Sequence, residues 1–296
     1  MRLVSYSLSD DAGSPRPGLV VGDEVVDLSD AAVGLPADMA DLLALGPAGL
    51  ERAGNAASGT AIRHALTSVR LHAPVPRPPA ILAIGMNYGA HVAEMGREAP
   101  EYQYWFNKQR TSIAGPGDPI LLPTVSDMVD YEGELAMVIG PRCQHIPAER
   151  AFDVVAGFTV INDVSVRDWQ WRTPTFTMGK SFDTHAPCGP WLVTTDVLGD
   201  PGRLSLRTWV NDELRQDSTT ADLIFDCRSL IAYLTSAFPL EPGTIIATGT
   251  PAGVGAGFTP PKFLAEGDVV RIEIEGIGEL TNPVRRGADP SPVGLT

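Results

Sequence analysis

The sequence has little cysteine, no long apolar run and no excess of basic charge. Its three cysteines, Cys143, Cys188 and Cys227, form no C-x-x-C pair, which indicates reduced thiols rather than a disulfide framework. No apolar run is long enough to cross a bilayer, and the first residues lack the apolar core of a secretory signal. We therefore expect a cytoplasmic protein that does not bind to membranes.

The charge balance is acidic, with a formal net charge of −14 and a pI near 4.7. A nucleic-acid partner would require a basic face, so this balance argues against one. It does not exclude an anionic substrate, because the field inside a cleft is set by the cations that line it. The composition is otherwise ordinary for a globular protein.

A proline-rich segment, Pro74–Pro79, divides the chain. Four prolines in six residues do not fit inside a helix or a central strand, so we place a domain boundary there. Residues 1–75 mix short β-like and helical pieces, which predicts a small N-terminal α+β domain. Residues 76–296 contain many short apolar runs between glycine and proline turns, which predicts a larger domain. The expected class is mixed α+β and rich in β structure.

The local patterns predict individual elements. Two tight hairpins are expected, one at Gly22-Asp23 and one at Asn211-Asp212, because these pairs lie between β-type runs. Helices are expected over Asp38–Leu45, over the alanine-rich Gly49–Ser68 region and over Tyr88–Met95.

The most informative local feature is a pair of glutamates, Glu132 and Glu134, before the apolar run Leu135–Ile139. This run predicts a strand buried on both faces, and side chains two apart on a strand share a face. Two adjacent buried carboxylates repel each other, and a hard divalent cation removes that cost. Such a pair alone is more often a solvated strand edge. Asp163, at the end of a second apolar run, adds a third candidate ligand and favours a metal site.

A second candidate group is His91 with Glu94, which share a face if the segment is helical. A carboxylate beside an imidazole orients it and raises its basicity, as a general base requires. From the spacing alone, a surface His–Glu pair is the commoner case. Glycines at positions 89 and 96 bracket the segment, so it can move as a lid.

Further polar residues follow Asp163. On a helix, Asp163, Arg167 and Gln170 would share one face and suit a metal with an anionic ligand beside it. The alternative is a capped helix start with a solvated arginine. Lys180 lies in a loop, where it can stabilise a developing enolate, although lone loop lysines are usually solvated. His185, in the same loop, is expected to be structural.

A glycine-rich turn follows the predicted strand at positions 244–248. Thr250 in this turn can offer its hydroxyl and its N–H to a carboxylate. The turn lacks the lysine of a P-loop and the spacing of a dinucleotide fingerprint, so nucleotide binding is rejected.

Six motifs in this order resemble the fumarylacetoacetate hydrolase family, including its acylpyruvate hydrolase and 2-hydroxyhepta-2,4-diene-1,7-dioate isomerase members. The motifs, which extend from about residue 80 to residue 284, are Gly85-Met-Asn-Tyr with His91-x-x-Glu94, Gly115-Pro-Gly-Asp-Pro-Ile, Asp130-Tyr-Glu-Gly-Glu-Leu, Asn162-Asp-Val-Ser-x-Arg-Asp-x-Gln, Gly179-Lys-Ser-Phe-Asp and Thr248-Gly-Thr-Pro-Ala-Gly-Val-Gly.

The resemblance implies a mixed β-roll catalytic domain, Mg²⁺ or Mn²⁺, a 2-oxo acid substrate and a homodimer. It makes Glu132, Glu134 and Asp163 the metal ligands. It makes His91 and Glu94 the catalytic dyad that activates water. It places four further residues around the substrate. Of these, Lys180 is catalytic, and Arg167, Gln170 and Thr250 bind the substrate.

The same resemblance leaves several reactions open. The main expectation is metal-dependent hydrolysis of a C–C bond in a 2,4-dioxo acid of the acylpyruvate type, through an enolate. The alternative on the same site is decarboxylation or isomerisation of oxaloacetate or of a hydroxy-dienedioate. A sugar-acid dehydratase and a non-catalytic metal-binding module are less favoured, the latter because His91, Glu94 and Lys180 are all present.

Overall fold

The computed structural model describes residues 1–8 and 14–287 of the chain. Its strands are Arg2–Leu8 (β1), Arg16–Val21 (β2), Glu24–Asp27 (β3), Arg63–Ala65 (β4), Val69–His72 (β5), Ile81–Gly85 (β6), Tyr104–Lys108 (β7), Ile113–Ala114 (β8), Ile120–Leu122 (β9), Val129–Asp130 (β10), Gly133–Ile139 (β11), Val155–Asn162 (β12), Ser165–Val166 (β13), Ala186–Thr194 (β14), Ser205–Val210 (β15), Glu213–Thr219 (β16), Ile245–Ala247 (β17), Val269–Ile274 (β18) and Gly278–Arg286 (β19). Its α-helices are Met39–Ala44 (α1), Gly46–Asn55 (α2), Gly89–Glu94 (α3), Arg167–Gln170 (α4), Thr195–Leu198 (α5) and Cys227–Ala237 (α6). Short 3₁₀ turns cover Ala56–Ser58, Leu66–Ser68, Arg110–Ser112, Ala148–Asp153, Pro201–Arg203, Thr220–Asp222 and Gly255–Gly257.

Most strands belong to one large sheet with the order β4-β3-β2-β1-β14-β12-β11-β17-β6-β7. Strand β5 joins it on β1, and β8 joins it on β14. A five-stranded sheet has the order β16-β15-β18-β19-β9, and β10 pairs with β13 separately. The class is therefore mixed and rich in β structure, as predicted from the sequence.

Strand β11 carries the predicted buried run. It pairs with β12 on one side and with β17 on the other, so both of its edges are hydrogen-bonded. Its side chains alternate between two hydrophobic cores: Leu135 and Met137 belong to the larger core, and Ala136 and Val138 belong to the second. This double burial fixes the direction in which the glutamates at its start must point.

The N-terminal strands extend the same sheet. Leu3 of β1 pairs with Leu192 of β14, and the amide of Thr194 donates to the carbonyl of Met1. The second core also combines residues from both sides of the proline-rich segment, such as Leu42 with Ile245. The division at residue 75 remains a prediction, and the shared sheet shows how tightly the two parts are joined.

The predicted hairpins are confirmed. Gly22 and Asn211 have φ values of 58° and 56°, and each opens a two-residue turn between paired strands. The helix expected over Gly49–Ser68 is wrong in its second half. Helix α2 ends at Asn55, and β4 pairs with β3 instead, because strand pairing outweighs the weak helical preference of residues 63–65. No helix in the described ranges is long and apolar enough to cross a membrane.

Candidate active site

The three predicted carboxylate ligands lie together at the start of β11. Glu134 is on β11, Glu132 immediately precedes it, and Asp163 follows the last residue of β12. The amide of Asp163 donates to the carbonyl of Glu132 at 2.8 Å, which brings the two chain segments into register. All three side chains are buried, and one oxygen of each lies within 4.8 Å of the others.

The cluster contains two further charged residues from the sequence prediction. Lys180 Nζ donates to Glu132 Oε2 and to Asp163 Oδ2, each at 2.7 Å. Arg167 Nη1 lies 2.6 Å from Glu132 Oε1 and donates to Gln170 Oε1 at 2.9 Å. Lys180 is therefore a buried member of the cluster and not a solvated loop lysine.

Arg167 and Gln170 reach the cluster by a different route from the one predicted. Helix α4 contains only four residues and begins at Arg167, and Asp163 precedes it by way of β13. The three side chains therefore share no helix face. They converge because the chain turns sharply after β12, and the prediction of a common face is wrong.

Two charged residues of the cluster were missed by sequence reasoning. Lys108, fully buried on β7, donates to Asp163 Oδ1 at 2.6 Å. Asp130 accepts from Arg167 Nε at 2.8 Å and from the amides of Gly255 and Ala256. Lys108 shares a strand face with Phe106, and this inward alternation is the signal that could have identified it.

The charges of the cluster explain its electrostatics. Burial alone would raise the pKa of Glu132, but Lys180 and then Arg167 hold it well below its ordinary value. Burial, followed by the charges of Asp163 and Glu132, raises the pKa of Glu134 well above its ordinary value. Burial lowers the pKa of Lys108, opposed by Asp163. The four buried carboxylates carry one more charge than the three buried cations can balance. The donor set therefore fits a hard divalent cation, because such cations prefer oxygen ligands.

His91 and Glu94 lie on the short helix α3 above this cluster. His91 Nδ1 is 3.1 Å from Glu94 Oε2, and both side chains are mostly buried, with 12% and 19% of their surface exposed. The other oxygen of Glu94 accepts from the amide of Gly253 at 2.9 Å. The pair is therefore positioned by a second segment and is not an ordinary surface ion pair. This contact leaves Nε2 of His91 as the nitrogen available for chemistry.

The base of α3 is fixed by Asn87, another residue that sequence reasoning missed. Its side-chain amide donates to the carbonyls of Phe225 and Thr248, and its side-chain oxygen accepts from the amide of Phe225. At the start of α3, the amide of Ala90 donates to Asp222. The helix is thus anchored at its first turn, so its orientation depends on these contacts.

Thr250 lies in the turn after β17, but its hydroxyl is already engaged. It donates to the carbonyl of Gly133 at 2.9 Å and accepts from Gln216 Nε2 at 2.8 Å. Gln216 also accepts from the amide of Gly133 at 3.0 Å. The backbone N–H of Thr250, rather than its hydroxyl, is therefore the group left for an anion. A Cβ at Gly133 would lie 2.3 Å from Thr208 Oγ1, which explains the glycine between the two glutamates.

These residues line one cleft. His91, Glu132, Glu134, Arg167, Gln170, Lys180 and Thr250 face it, together with an apolar wall that includes Ile84, Met86, Phe106, Trp171 and Phe176. Asp163 lies behind Lys180. The structure thus gathers all nine predicted site residues around one place, while their individual roles remain predictions.

Of the other residues considered in the sequence, His185 and Cys188 are buried. His185 Nε2 lies 2.9 Å from the carbonyl of Leu121, and burial lowers its pKa to about 3. Burial raises the pKa of the Cys188 thiol to about 12. Such environments are typical of structural groups and not of a nucleophile.

The family model described as fumarylacetoacetate (FAA) hydrolase C-terminal matches residues 80–285. The chain belongs to the fumarylacetoacetate hydrolase family. The resemblance inferred from the six motifs is therefore confirmed, and the chain is an enzyme of this superfamily.

Two curated relatives of this family member have names that concern oxaloacetate. The mitochondrial oxaloacetate tautomerase fahd2 of Xenopus laevis is 43% identical over 96% of this chain and 90% of its own length. The oxaloacetate tautomerase YisK of Bacillus subtilis is 47% identical over 75% of each chain.

Solved structures of other family members are similar over nearly the whole chain. Maleylpyruvate hydrolase from Sphingobium sp. SYK-6 is 36% identical with a TM-score of 0.81, covering 97% of this chain and all of that one. The same enzyme has been solved with a manganese(II) ion and pyruvate, and that structure has a TM-score of 0.80. A putative HpcE protein from Mycobacterium smegmatis is 40% identical with a TM-score of 0.86, covering 98% of this chain and all of that one.

Proposed function

We propose that this protein is a metal-dependent isomerase that interconverts the enol and keto forms of oxaloacetate. The proposal is supported by the relatives named as oxaloacetate tautomerases, which are 41–47% identical over most of the chain. The structural observation that carries this proposal is the imidazole of His91, which Glu94 holds above a buried carboxylate cluster that fits a divalent cation. This alternative is better supported than the C–C hydrolysis expected first from the sequence.

Glu132, Glu134 and Asp163 would hold Mg²⁺ or Mn²⁺. A divalent cation at such a site supplies Lewis acidity toward the 2-oxo group of a bound 2-oxo acid. Lys180 and Arg167 lower the pKa of Glu132 and so favour its ionised form. They thereby keep ligand oxygens in the form that a cation requires.

The tautomerisation itself needs a group that moves a proton at C3. In the keto-to-enol direction, His91 Nε2 accepts the C3 proton while Glu94 orients the ring through Nδ1. The electron pair of the broken C–H bond forms the C2–C3 double bond, and the 2-oxo oxygen becomes the enol oxygen, which takes a proton from solvent water. The positive charge of Lys180 stabilises the negative charge that develops on this oxygen. His91 then releases the C3 proton to solvent, so no net proton is gained or lost. In the reverse direction, protonated His91 gives a proton to C3, and the enol O–H loses its proton to solvent water.

Substrate binding is assigned to three polar groups of the cleft. Gln170 and the backbone N–H of Thr250 would donate to the 1-carboxylate, and Arg167 would add a positive charge behind them; Gln170, Arg167 and Thr250 all line the cleft. Because the hydroxyl of Thr250 is bonded to Gly133, we expect the loop backbone to make this contact.

The test is to follow the decay of freshly dissolved enol-oxaloacetate by its ultraviolet absorbance, with Mn²⁺ and with EDTA. We expect a cation-dependent acceleration that is lost in His91→Ala and in Glu132→Ala. In His91→Ala, which removes the base, the rate should fall by at least about 100-fold. Arg142→Gln, a surface change outside the cleft, serves as the control and should leave the rate unaltered. Absence of acceleration by the wild-type protein would refute the proposal.

The second candidate is hydrolysis of an acylpyruvate. It is favoured by one observation, that the His91–Glu94 pair has the arrangement of a water-activating base, and by the similarity to maleylpyruvate hydrolase. Here His91 takes a proton from water, hydroxide attacks the distal carbonyl, and the C–C bond breaks to give the acyl group as a carboxylic acid and an enolate of pyruvate. Protonation of this enolate at carbon by the protonated His91 gives pyruvate. Pyruvate release from acetylpyruvate faster than enol-oxaloacetate conversion would favour this candidate. Pyruvate release from oxaloacetate would instead indicate decarboxylation.

Two properties of the whole protein are also proposed, the first on the basis of the family and the second on the basis of the sequence. We expect a homodimer, which light scattering would measure as a mass twice that of the 31.4 kDa chain. We also expect a cytoplasmic enzyme, although curated relatives include mitochondrial proteins.

A further inference from the structure

One cation of the cleft takes no part in the carboxylate cluster. Arg97 follows the lid helix α3 and lines the same cleft as Glu132 and Lys180. Its Nη1 lies 3.7 Å from the sulfur of Met86, a weak contact. Within residues 1–8 and 14–287, no carboxylate lies within ion-pair distance of its guanidinium group. Arg97 is exposed at the mouth, so its charge is available to a ligand that enters the cleft.

The inner cations are not available in the same way. Lys180 contacts two carboxylates at 2.7 Å, and Arg167 contacts Asp130 and Glu132 at 2.8 Å and 2.6 Å. These contacts use the charges that the cluster itself requires. A monoanionic 2-oxo acid needs no further cation, because its single carboxylate binds beside the cluster.

A dianion has a second carboxylate that must lie farther out. The wall between the cluster and the mouth is apolar and includes Met86, Phe106 and Trp171, none of which can pair a charge. Leaving a carboxylate unpaired beside such a wall would be costly. Arg97 is the remaining cation of the cleft lining, and a guanidinium binds a carboxylate through two parallel hydrogen bonds.

We propose that Arg97 is a specificity residue that binds the second carboxylate of a 2-oxo dicarboxylate. The inference rests on the proposed function and deepens it, because it selects 2-oxo diacids over acylpyruvates that lack a second carboxylate. It also gives the lid a role in recognition. Arg97 follows α3 directly, so pairing with the diacid holds the helix that carries His91 over the substrate.

The test compares binding of three ligands to the Mn²⁺-loaded protein by calorimetry. The ligands are 3,3-dimethyloxaloacetate, which has no C3 hydrogen and cannot tautomerise, its 4-methyl ester, and oxalate. The variants are Arg97→Gln, Arg97→Lys and, as a control with the same change in net charge, Arg142→Gln. We expect Arg97→Gln to weaken binding of the diacid by about 10- to 100-fold. Binding of the ester and of oxalate should weaken by less than about twofold. Arg97→Lys should retain part of the preference.

Two results would overturn the inference. One is unchanged affinity of Arg97→Gln for the diacid. The other is an equal loss for diacid and ester, which would mean that the residue acts only on the shape of the lid. Wild-type activity separates this failure from that of the proposed function. If the wild type does not convert enol-oxaloacetate, the proposed function fails, and the binding ratio still decides the role of Arg97.

Discussion

At the scale of single residues, Glu134 is the unusual member of the carboxylate cluster. Lys180 contacts the other two carboxylates, while Glu134 accepts from the amide of Gly249 at 2.7 Å. Burial and the neighbouring charges of Asp163 and Glu132 therefore raise its pKa. In the absence of a cation, the folded protein favours the protonated form of Glu134.

The sign of the resulting pH dependence follows from linkage. A carboxyl whose pKa is raised on folding contributes stability below its ordinary value of about 4.5 and loses it as the pH rises through the raised value. We therefore expect the melting temperature in EDTA to fall as the pH rises above about 5. The free energy of unfolding should decrease by up to ~1.4 kcal/mol per pH unit. Saturating Mn²⁺ should remove this fall, because the cation binds the ionised form.

The variant Glu134→Gln provides the control for this pH dependence. Since its amide does not ionise, the melting temperature in EDTA should vary less with pH than in the wild type, and Mn²⁺ should add little stability. Equal slopes for wild type and variant in EDTA would contradict the prediction and would assign the pH dependence to other groups.

The residue scale also shows how far the sequence could predict the site. Glu132 and Glu134 could be found because a strand has a period of two and the apolar run behind them required burial. The same alternation could place Lys108 on the inner face of its strand, but the roles of Lys108 and Asp130 depend on partners 55 and 37 positions away along the chain. A charged residue can be predicted to be buried only when the oppositely charged partner that compensates it is known.

At the scale of elements, strand β16 supports the site from the second sheet. Gln216 on this strand bonds to the amide of Gly133 between the two glutamates and to the hydroxyl of Thr250. The five-stranded sheet thereby fixes both the metal-site strand and the anion-binding turn. Sequence patterns predicted the hairpin that contains Gln216, but they could not show which sheet it would pack against, since that depends on the tertiary arrangement.

Replacing Gln216 with methionine tests this support. The side chain keeps its length but loses its hydrogen bonds, so the buried amide of Gly133 is left unpaired. We expect a loss of about 1–3 kcal/mol of unfolding free energy, and a KM increase of roughly tenfold with a smaller change in kcat. Chemical denaturation and steady-state kinetics would measure the two effects.

The adjacent residue on the same strand gives the matched control. Asp217 points to the opposite face and pairs with Arg207 at the surface, so Asp217→Ala should change stability by less than about 1 kcal/mol and leave KM unaltered. If Gln216→Met lowers stability and kcat but leaves KM unchanged, Gln216 does not position the substrate-binding turn.

At the scale of the whole molecule, the large sheet joins the N-terminal part to the catalytic part. Strand β1 covers one edge of β14, and β14 pairs with β12, which ends at Asn162 immediately before Asp163. The motifs and the proline-rich segment predicted two parts, and that division remains a prediction. They could not predict that the parts share a sheet, because the pairing of β1 with β14 spans nearly 190 positions, and such long-range pairing leaves no local signal.

This shared sheet predicts that the chain unfolds as one unit. A protein that begins at residue 76 would expose the edge of β14 and the apolar partners of Leu3 and Leu42, so we expect it to aggregate and to lose Mn²⁺ binding. In the full chain, Leu3→Ala should cost about 2–5 kcal/mol, because Leu3 is fully buried against catalytic-domain residues. Thermal melts followed by circular dichroism and by Mn²⁺ release should then shift together in a single transition. Two results would contradict this prediction: a monodisperse truncated protein that still binds Mn²⁺, or a Leu3→Ala melt with two transitions in which the metal site is lost only in the later one. Either result would show that residues 76–296 fold independently of the N-terminal strands.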